Sequence, residues 1–271
     1  MSIKPKKPTL RYPTPALEKG LDILELFARE PNGLTKSDVA RKLGRTMSEI
    51  FRMMSCLEDR GYISQSGDGE SFRLTLRLFE LAQEHPPTKR LISEALPIMQ
   101  QVAHQLNQSS HLGVLDGHYV VIIAQVDSPL STGFYVKAGG IGDLMHSATG
   151  HVILAHRAPE AASRAIQLWC KQNKARPPRD FDAHLTEIKR RGYEERASYE
   201  VEGVINISFP ILDDRGHAIA ALSVPFLQRI GDQTNPATVK RVLKKASSLL
   251  SEAMGSAGIQ ESYEPGTTEI R

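Results

Sequence analysis

The stretch TKSDVARKLGRTMSEIFRMMSCLEDRG, Thr35 to Gly61, decides how this chain is read. Thr35 is placed to cap a short helix whose apolar positions, Val39, Ala40 and Leu43, share one face. Gly44 stands where a helix ends in a left-handed residue, a conformation that a residue without Cβ adopts cheaply. Thr46-Met47-Ser48-Glu49 then matches a capping box, in which hydroxyl and carboxylate satisfy orphan backbone N–H groups reciprocally. Ile50, Met53, Met54 and Leu57 repeat at helical spacing toward a core, and Ser48, Arg52 and Ser55 fall on the opposite face. Two short helices, a tight turn and a cap in this rhythm predict a helix-turn-helix, with Gly61 closing the second helix.

The flanking sequence extends that reading. YISQSGDGESFRLT, Tyr62 to Thr75, reads as two short strands, Tyr62–Gln65 and Ser71–Thr75, joined by the polar turn Ser66–Glu70. The unit is therefore a winged helix-turn-helix, a device for reading duplex DNA. An earlier helix, about Pro15 to Glu30, offers Leu17, Leu21, Leu24 and Ala28 as its core stripe. Arg73 on the returning strand is in reach of a phosphate. The net charge of +3 is mild, but residues 1–80 hold 14 Lys/Arg against 11 Asp/Glu and the remainder is balanced. The excess thus lies in the DNA-reading part. Lys4, Lys6, Lys7 and Arg11 make residues 1–12 a basic tail, read as disordered.

Several function classes are excluded. No apolar h-region opens the chain and no run approaches the ~20 apolar residues of a membrane span, so neither export nor a membrane partner is expected. Cys56 and Cys170 are the two cysteines, and Cys56 lies within the recognition-helix pattern. A reduced cytoplasm without a structural disulfide fits that usage. The chain lacks a GxSxG elbow, a P-loop and a GxGxxG opening a helix after a strand. His146 and Ser147 are adjacent and would not face one another on a helix. The chain is read as a non-enzyme without a cofactor. His146, His151 and His156 recur every five residues, which does not stack two imidazoles on one helical face as i, i+4 would. No metal site is expected from them.

Beyond the wing, Leu76 to Gln83 reads as a helix, His85-Pro86-Pro87 as an interruption, and Thr88 to Gln108 as a longer helix. That helix carries Leu91, Ala95, Ile98, Val102 and Leu106 on one side, and Pro97 either kinks it or marks its beginning. The remainder reads as α+β. Strands Leu112–Leu115 and Tyr119–Gln125 flank the hairpin signal Asp116-Gly117-His118, and Gly133–Lys137 reads as a further strand. The glycine-rich loop Ala138–Asp143 precedes a helix beginning near His146. Helices near Pro159–Asn173 and Asp182–Arg191 follow. Strands Val204–Leu212 and Ala218–Phe226 are joined by the turn Asp213–Gly216, before an amphipathic helix, Pro236–Met254, with Val239, Leu243, Ala246 and Leu250. The domain reading is a DNA-binding domain over 13–76, a helical linker over 77–90, a second domain over 91–255 and a disordered tail over 256–271.

At this point the chain resembles the IclR (isocitrate lyase regulator) family of bacterial transcription factors over about residues 14–254. The resemblance rests on LEKGLDILELF, LTKSDVARKLG, SEIFRMMSCLEDRGYI, LMHSATGHVILA, RRGYE and GVINISFPILDDRGHAIAALSVP in this order and spacing. It implies a winged helix-turn-helix, a helical linker and a C-terminal GAF-like domain with an antiparallel sheet. It also implies a homodimer or homotetramer on a double-stranded DNA operator, controlled by a small-molecule effector, often an organic acid or an aromatic compound. A repressor is the expected form.

The residues give the two candidate sites. For DNA they are Lys36, Arg45, Thr46, Met47, Ser48, Arg52 and Arg73. Arg52 either binds guanine or phosphate, or pairs with an acid one turn away. Glu49 either completes the capping box or accepts from cytosine N4, and the box is the preferred reading. For the effector they are Leu144, His146, Ser147, Ala148, Thr149, Gly150, Asn206, Ser208 and Ser223. Ser147–Gly150 open a helix whose small side chains leave N–H groups near an anion, or else Ser147 and Thr149 simply cap it. Alternation puts Ile205, Ile207 and Phe209 on one face of a strand and Asn206 and Ser208 on the other, with Ser223 on the neighbouring strand. Compared with the family pattern, His151 replaces a usual Lys or Arg, Asn206 a Cys or Ser, Phe209 a small residue, Met47 a basic residue and Glu49 a small hydroxyl residue.

Overall fold

A computed structural model describes residues 12, 14–66, 69–83 and 86–256. The basic residues up to Arg11, the wing-turn residues Gly67 and Asp68, His85 and the tail from Ala257 lie outside the described residues. The chain divides into two compact units, one ending at Lys89 and the other beginning at Arg90.

The N-terminal unit comprises α1 (Pro15–Phe27), β1 (Leu34–Thr35), α2 (Lys36–Leu43), α3 (Met47–Asp59), β2 (Ile63–Gln65), β3 (Ser71–Leu74) and α4 (Arg77–Gln83). The strands pair antiparallel in the order β1-β3-β2. Both helices of the helix-turn-helix start with complete capping boxes, Thr35 with Asp38 and Thr46 with Glu49, and Gly44 ends α2 in the left-handed conformation. Ile50 and Met54 of α3 pack with Val39 and Ala40 of α2 and with Phe72 of the wing. The stripe of α1 differs from the expectation. Ile23 and Phe27 are buried, whereas Leu17, Leu21 and Ala28 face solvent. Apolar residues occupy more than one face of α1, so periodicity alone admits two stripes, and packing against Ile50 and Val39 selects one.

The C-terminal unit is a six-stranded antiparallel sheet between two helical layers. Its elements are α5 (Pro86–Leu106), β4 (Ser110–Asp116), β5 (Tyr119–Val126), β6 (Ile141–Asp143), α6 (Ala148–His156), α7 (Pro159–Asn173), α8 (Phe181–Arg191), β7 (Glu194–Ala197), β8 (Val204–Leu212), β9 (Ala218–Leu227) and α9 (Pro236–Ala253). The strand order is β6-β5-β4-β9-β8-β7. One face buries Ile207, Phe209, Leu222 and Val224 against Leu91, Ala95, Met99 and Val102 of α5 and Val239, Leu243 and Leu250 of α9. Met99 joins the α5 stripe, with Ile98 packed partly buried against the same core, and Pro97 lies inside the helix. The other face meets α6, α7 and α8 through Val120, Ile122, Trp169, Phe181, Val152, Ile153 and Ala221.

Two strands differ from the sequence reading. Gly133–Lys137 is not a strand. Pairing with β5 begins only at the following turn, where Gly139 N–H donates to Ile122 O at 2.8 Å and Ile122 N–H to Gly140 O at 3.0 Å. Strand β6 therefore lies within the glycine-rich segment. Edge strand β7, absent from the sequence reading, pairs Glu194 with Ser208 and Arg196 with Asn206.

Close contact between α6 and the sheet depends on Gly113. A Cβ there would meet Thr149 Cγ2 at 2.6 Å and Val120 Cγ1 at 3.0 Å. Gly113→Ala should cost about 1–3 kcal/mol by overpacking. Urea unfolding followed by the fluorescence of Trp169, the only tryptophan, reads this unit. An unshifted midpoint would mean that α6 yields without cost.

Candidate functional site

The N-terminal unit presents α3 and the wing. Glu49 is held by its cap: Thr46 N–H donates to Glu49 Oε2 at 3.1 Å, and Lys19 Nζ lies 2.6 Å from Oε1. The Lys19 ammonium, then the Thr46 backbone N–H, hold its carboxyl at about 2, below the usual carboxylate range. Its oxygens are engaged in the fold rather than offered to a base. Lys36 is half-buried, its ammonium 4.8 Å from the Phe51 ring centroid and 5.0 Å from that of Phe72, an arrangement that holds the cation by the ring quadrupoles. Arg45, Thr46, Met47, Ser48, Arg52 and Arg73 are exposed. Arg41 pairs with Asp38 and Lys42 with Glu30, but among the described residues no acid pairs with Arg45, Arg52 or Arg73.

In the C-terminal unit the register builds a polar row across the face of the sheet that meets α6. His111 stands opposite Ser223, Ser223 opposite Ser208, and Ser208 opposite Glu194. Thr149 reaches down from α6 to join it. Thr149 Oγ1 lies 2.9 Å from Ser223 Oγ, Ser223 Oγ 2.7 Å from Ser208 Oγ, and Thr149 Oγ1 3.3 Å from His111 Nε2. Ser208 and Ser223 are fully buried, and His111 and Thr149 nearly so. Burial pushes the His111 imidazole down to about 4, so it is neutral at pH 7. Its Nδ1 has no hydrogen-bond partner among the described residues. A buried polar atom left unpaired costs free energy and asks for a ligand or a water.

The structure thus brings Thr149, Ser208 and Ser223 together and adds His111, which sequence reasoning missed. Strand β4 is buried on both faces from Ser110 to Gly113, so no alternation marked His111. Ser147 is the N-cap of α6, its Oγ accepting from Gly150 N–H at 3.0 Å. That N–H is therefore already engaged, contrary to an open anion cradle. Gly150 serves close packing, since a Cβ would meet Leu144 O at 2.7 Å. Leu144 and Ala148 are buried, and Asn206 is half-buried on the same strand face as Ser208. His146 is exposed and stands apart, its Nδ1 2.7 Å from Asp143 Oδ1.

The three histidines at spacing five diverge. His156 Nδ1 turns to Val152 O at 3.0 Å, while His151 Nδ1 lies 3.1 Å from His184 Nε2. His184 Nε2 is 3.3 Å from Glu194 Oε1, and Arg191 holds the other carboxylate oxygen. Burial, then the Arg196 guanidinium, push His151 down to about 3. A separate groove of about 610 Å³ opens beside Tyr193 and Phe209, rimmed by Lys189, Lys240 and Arg241. None of the candidate effector residues lines it; its buried polar groups are Ser247 and Ser251 of α9.

Two family models match the chain: the IclR helix-turn-helix domain over residues 16–67 and the bacterial transcriptional regulator IclR C-terminal domain over residues 88–252. The HTH-type transcriptional regulator KdgR of Escherichia coli is 28% identical over 213 residues, covering 77% of this chain and 80% of that protein. XynR of the same organism is 24% identical over 245 residues, covering 89% and 97%. Among solved structures, the Thermotoga maritima IclR matches with a TM-score of 0.70 at 22% identity, covering 88% of this chain and 98% of that one. An IclR homologue from Microbacterium hydrocarbonoxydans, complexed with 4-hydroxybenzoate, matches with a TM-score of 0.72 at 24% identity over the same shares.

Proposed function

The chain belongs to the IclR family of bacterial transcriptional regulators, and on that premise we propose that it is a repressor whose operator affinity is set by a small organic acid held at the α6 face of the C-terminal sheet. The observation that carries the reading is the buried row Thr149–Ser223–Ser208, which ends in the unpartnered Nδ1 of His111. Its hydroxyls donate or accept as a ligand requires, and the buried side chains of Leu144 and Ala148 are its apolar neighbours. Asn206, half-buried beside Arg196, stands at the rim. These are groups for binding oxygenated ligands, and the reading is of a regulator rather than an enzyme.

On the DNA side, Arg52 and Ser48 face the groove, Arg45 and Arg73 face phosphates, and exposed Met47 and Phe51 suit a thymine methyl. Leu17 and Leu21 on α1 and Phe79 on α4 are large exposed apolar side chains, which supports a homodimer with winged helices ~34 Å apart on one face of DNA. No helix among the described residues is long and apolar enough to cross a membrane, in keeping with a cytoplasmic regulator.

The test is a thermal-shift screen of small organic and aromatic acids, 4-hydroxybenzoate included, since a ligand of the native state raises its apparent stability. A hit should also change operator affinity, because a ligand shifts an equilibrium only by binding the two states unequally. Asn206→Leu should blunt the response to that hit and leave ligand-free operator binding intact. A normal response would remove Asn206 from the site, and hits indifferent to Thr149, Ser208 and Ser223 substitutions would place the pocket elsewhere.

A further inference from the structure

Three elements converge on one point of the α6 face. His151 comes from α6, His184 from α8 and Glu194 from β7, and their ligand atoms all lie within 4.8 Å of one another. We propose that His151 Nδ1, His184 Nε2 and Glu194 Oε1 form a three-ligand site for a divalent transition-metal ion of the zinc class.

The distances fit such an ion. Nδ1 to Nε2 is 3.1 Å and Nε2 to Oε1 is 3.3 Å. A tetrahedral ion with bonds of ~2.0–2.1 Å places its ligands about 3.3 Å apart. The supporting contacts fit as well. His151 Nε2–H donates to Met145 O at 2.9 Å, which leaves the Nδ1 lone pair as the ligand and fixes the ring. Phe181 meets the same ring edge-on at 5.1 Å. Arg191 holds the carboxylate oxygen of Glu194 that would not ligate. His151 and Glu194 are buried, while His184 is partly exposed and gives access from solvent.

As hydrogen bonds alone, His151 Nδ1 and Glu194 Oε1 share one His184 donor, with Arg196 NH1 at 2.9 Å from Nδ1 as the other. The His184 Nε2–H serves a single acceptor well. An ion serves all three atoms at once. Arg196 does not block it: its NH1 is 2.9 Å from Nδ1 and 3.2 Å from Nε2 of His151. A nitrogen at similar distance from both ring nitrogens lies over the ring face, so the in-plane lone pair of Nδ1 stays directed at His184. Charge does not recruit the ion, because Arg191 and Arg196 offset Glu194. The two imidazoles do, and they select Zn²⁺-like ions over Mg²⁺ or Ca²⁺, which prefer all-oxygen shells.

Untagged full-length protein, stripped with chelator and dialysed against Zn²⁺, should retain one equivalent by mass spectrometry of its metal content. Bound Co²⁺ should give the visible absorption of a tetrahedral site, and Mg²⁺ should not compete. His184→Ala, at the partly exposed position, should weaken Zn²⁺ at least about tenfold with an unchanged circular dichroism spectrum. Glu194→Gln should do the same, and His104→Ala should not. Failure of the wild type to retain Zn²⁺, or retention by His184→Ala equal to the wild type, overturns the proposal.

Discussion

Between about pH 6.5 and pH 4.5 the C-terminal unit should lose up to about 1.4 kcal/mol of unfolding free energy per pH unit through His111 alone. Its imidazole is buried between β4 and α6 and sits at about 4 in the folded chain, against 6.5 for an ordinary histidine. The unfolded chain therefore takes up the proton first as the pH falls, and unfolding is favoured throughout that window. Above the window the group is neutral in both states and contributes nothing. The carboxyls of Glu187 and Asp232 are held low, by Arg190 and by the Thr234 backbone respectively, so their contributions fade only at still lower pH. His156, also pushed down by burial, adds a slope of the same sign. The decisive measurement is consequently a comparison. His111→Gln should show a shallower dependence by that same amount when urea unfolding is followed through Trp169. Equal slopes would mean that His111 is protonated, or solvated, in the folded state.

That histidine marks the limit of what the sequence disclosed. Local chemistry was legible: the Thr46–Glu49 box, Gly44 and the Asp116-Gly117 hairpin each depend on residues within one turn of chain. So was the alternation of β8, because Ile207 and Phe209 face one helical layer and Ser208 the other. Long-range pairing was not. Strand β6 is defined by its partner β5 rather than by its own glycines, and β7 by β8. The same reason hid the cluster of His151, His184 and Glu194, whose members are distant in sequence and meet only through the α6–α8–β7 packing. In α1 the failure was different, since Leu17 and Leu21 are apolar and still exposed. Periodicity shows that a stripe exists and leaves packing to select it.

Helix α6 carries both polar features of the C-terminal unit. Thr149 enters the serine row and His151 the second cluster, two positions along the same helix. With Gly113 and Gly150 allowing no slack on either side, a ligand that rearranged one feature would displace the other. Interiors packed this tightly transmit strain rather than absorb it. A change of occupancy at the row is therefore expected to alter the exchange and metal binding of the second cluster.

Arg52→Ala should lower operator affinity by 10-fold to 100-fold or more while leaving the N-terminal unit folded. Arg52 is exposed on α3, and alanine is the better helix former, so the substitution costs α3 nothing. The alternative role, an ion pair one turn away, lacks a partner among the described residues. Glu49, the acid best placed, is already engaged by Lys19 and by the backbone of Thr46. A bidentate arginine–guanine contact is worth about 1–3 kcal/mol of discrimination, and a dimer would lose two of them. Arg52→Lys separates the possible contacts. If Arg52 reads guanine, lysine should recover little, because a point charge does not reproduce the planar fork. If it holds a phosphate, lysine should recover most of the affinity. The loss on Arg73→Ala should instead be uniform across DNA sequences and reduce the salt dependence by about two units, one for each subunit of the dimer. Undiminished operator binding by Arg52→Ala would mean that α3 docks by another face, and the reading of the Thr35–Gly61 segment would have to be rebuilt around Arg45 and the wing.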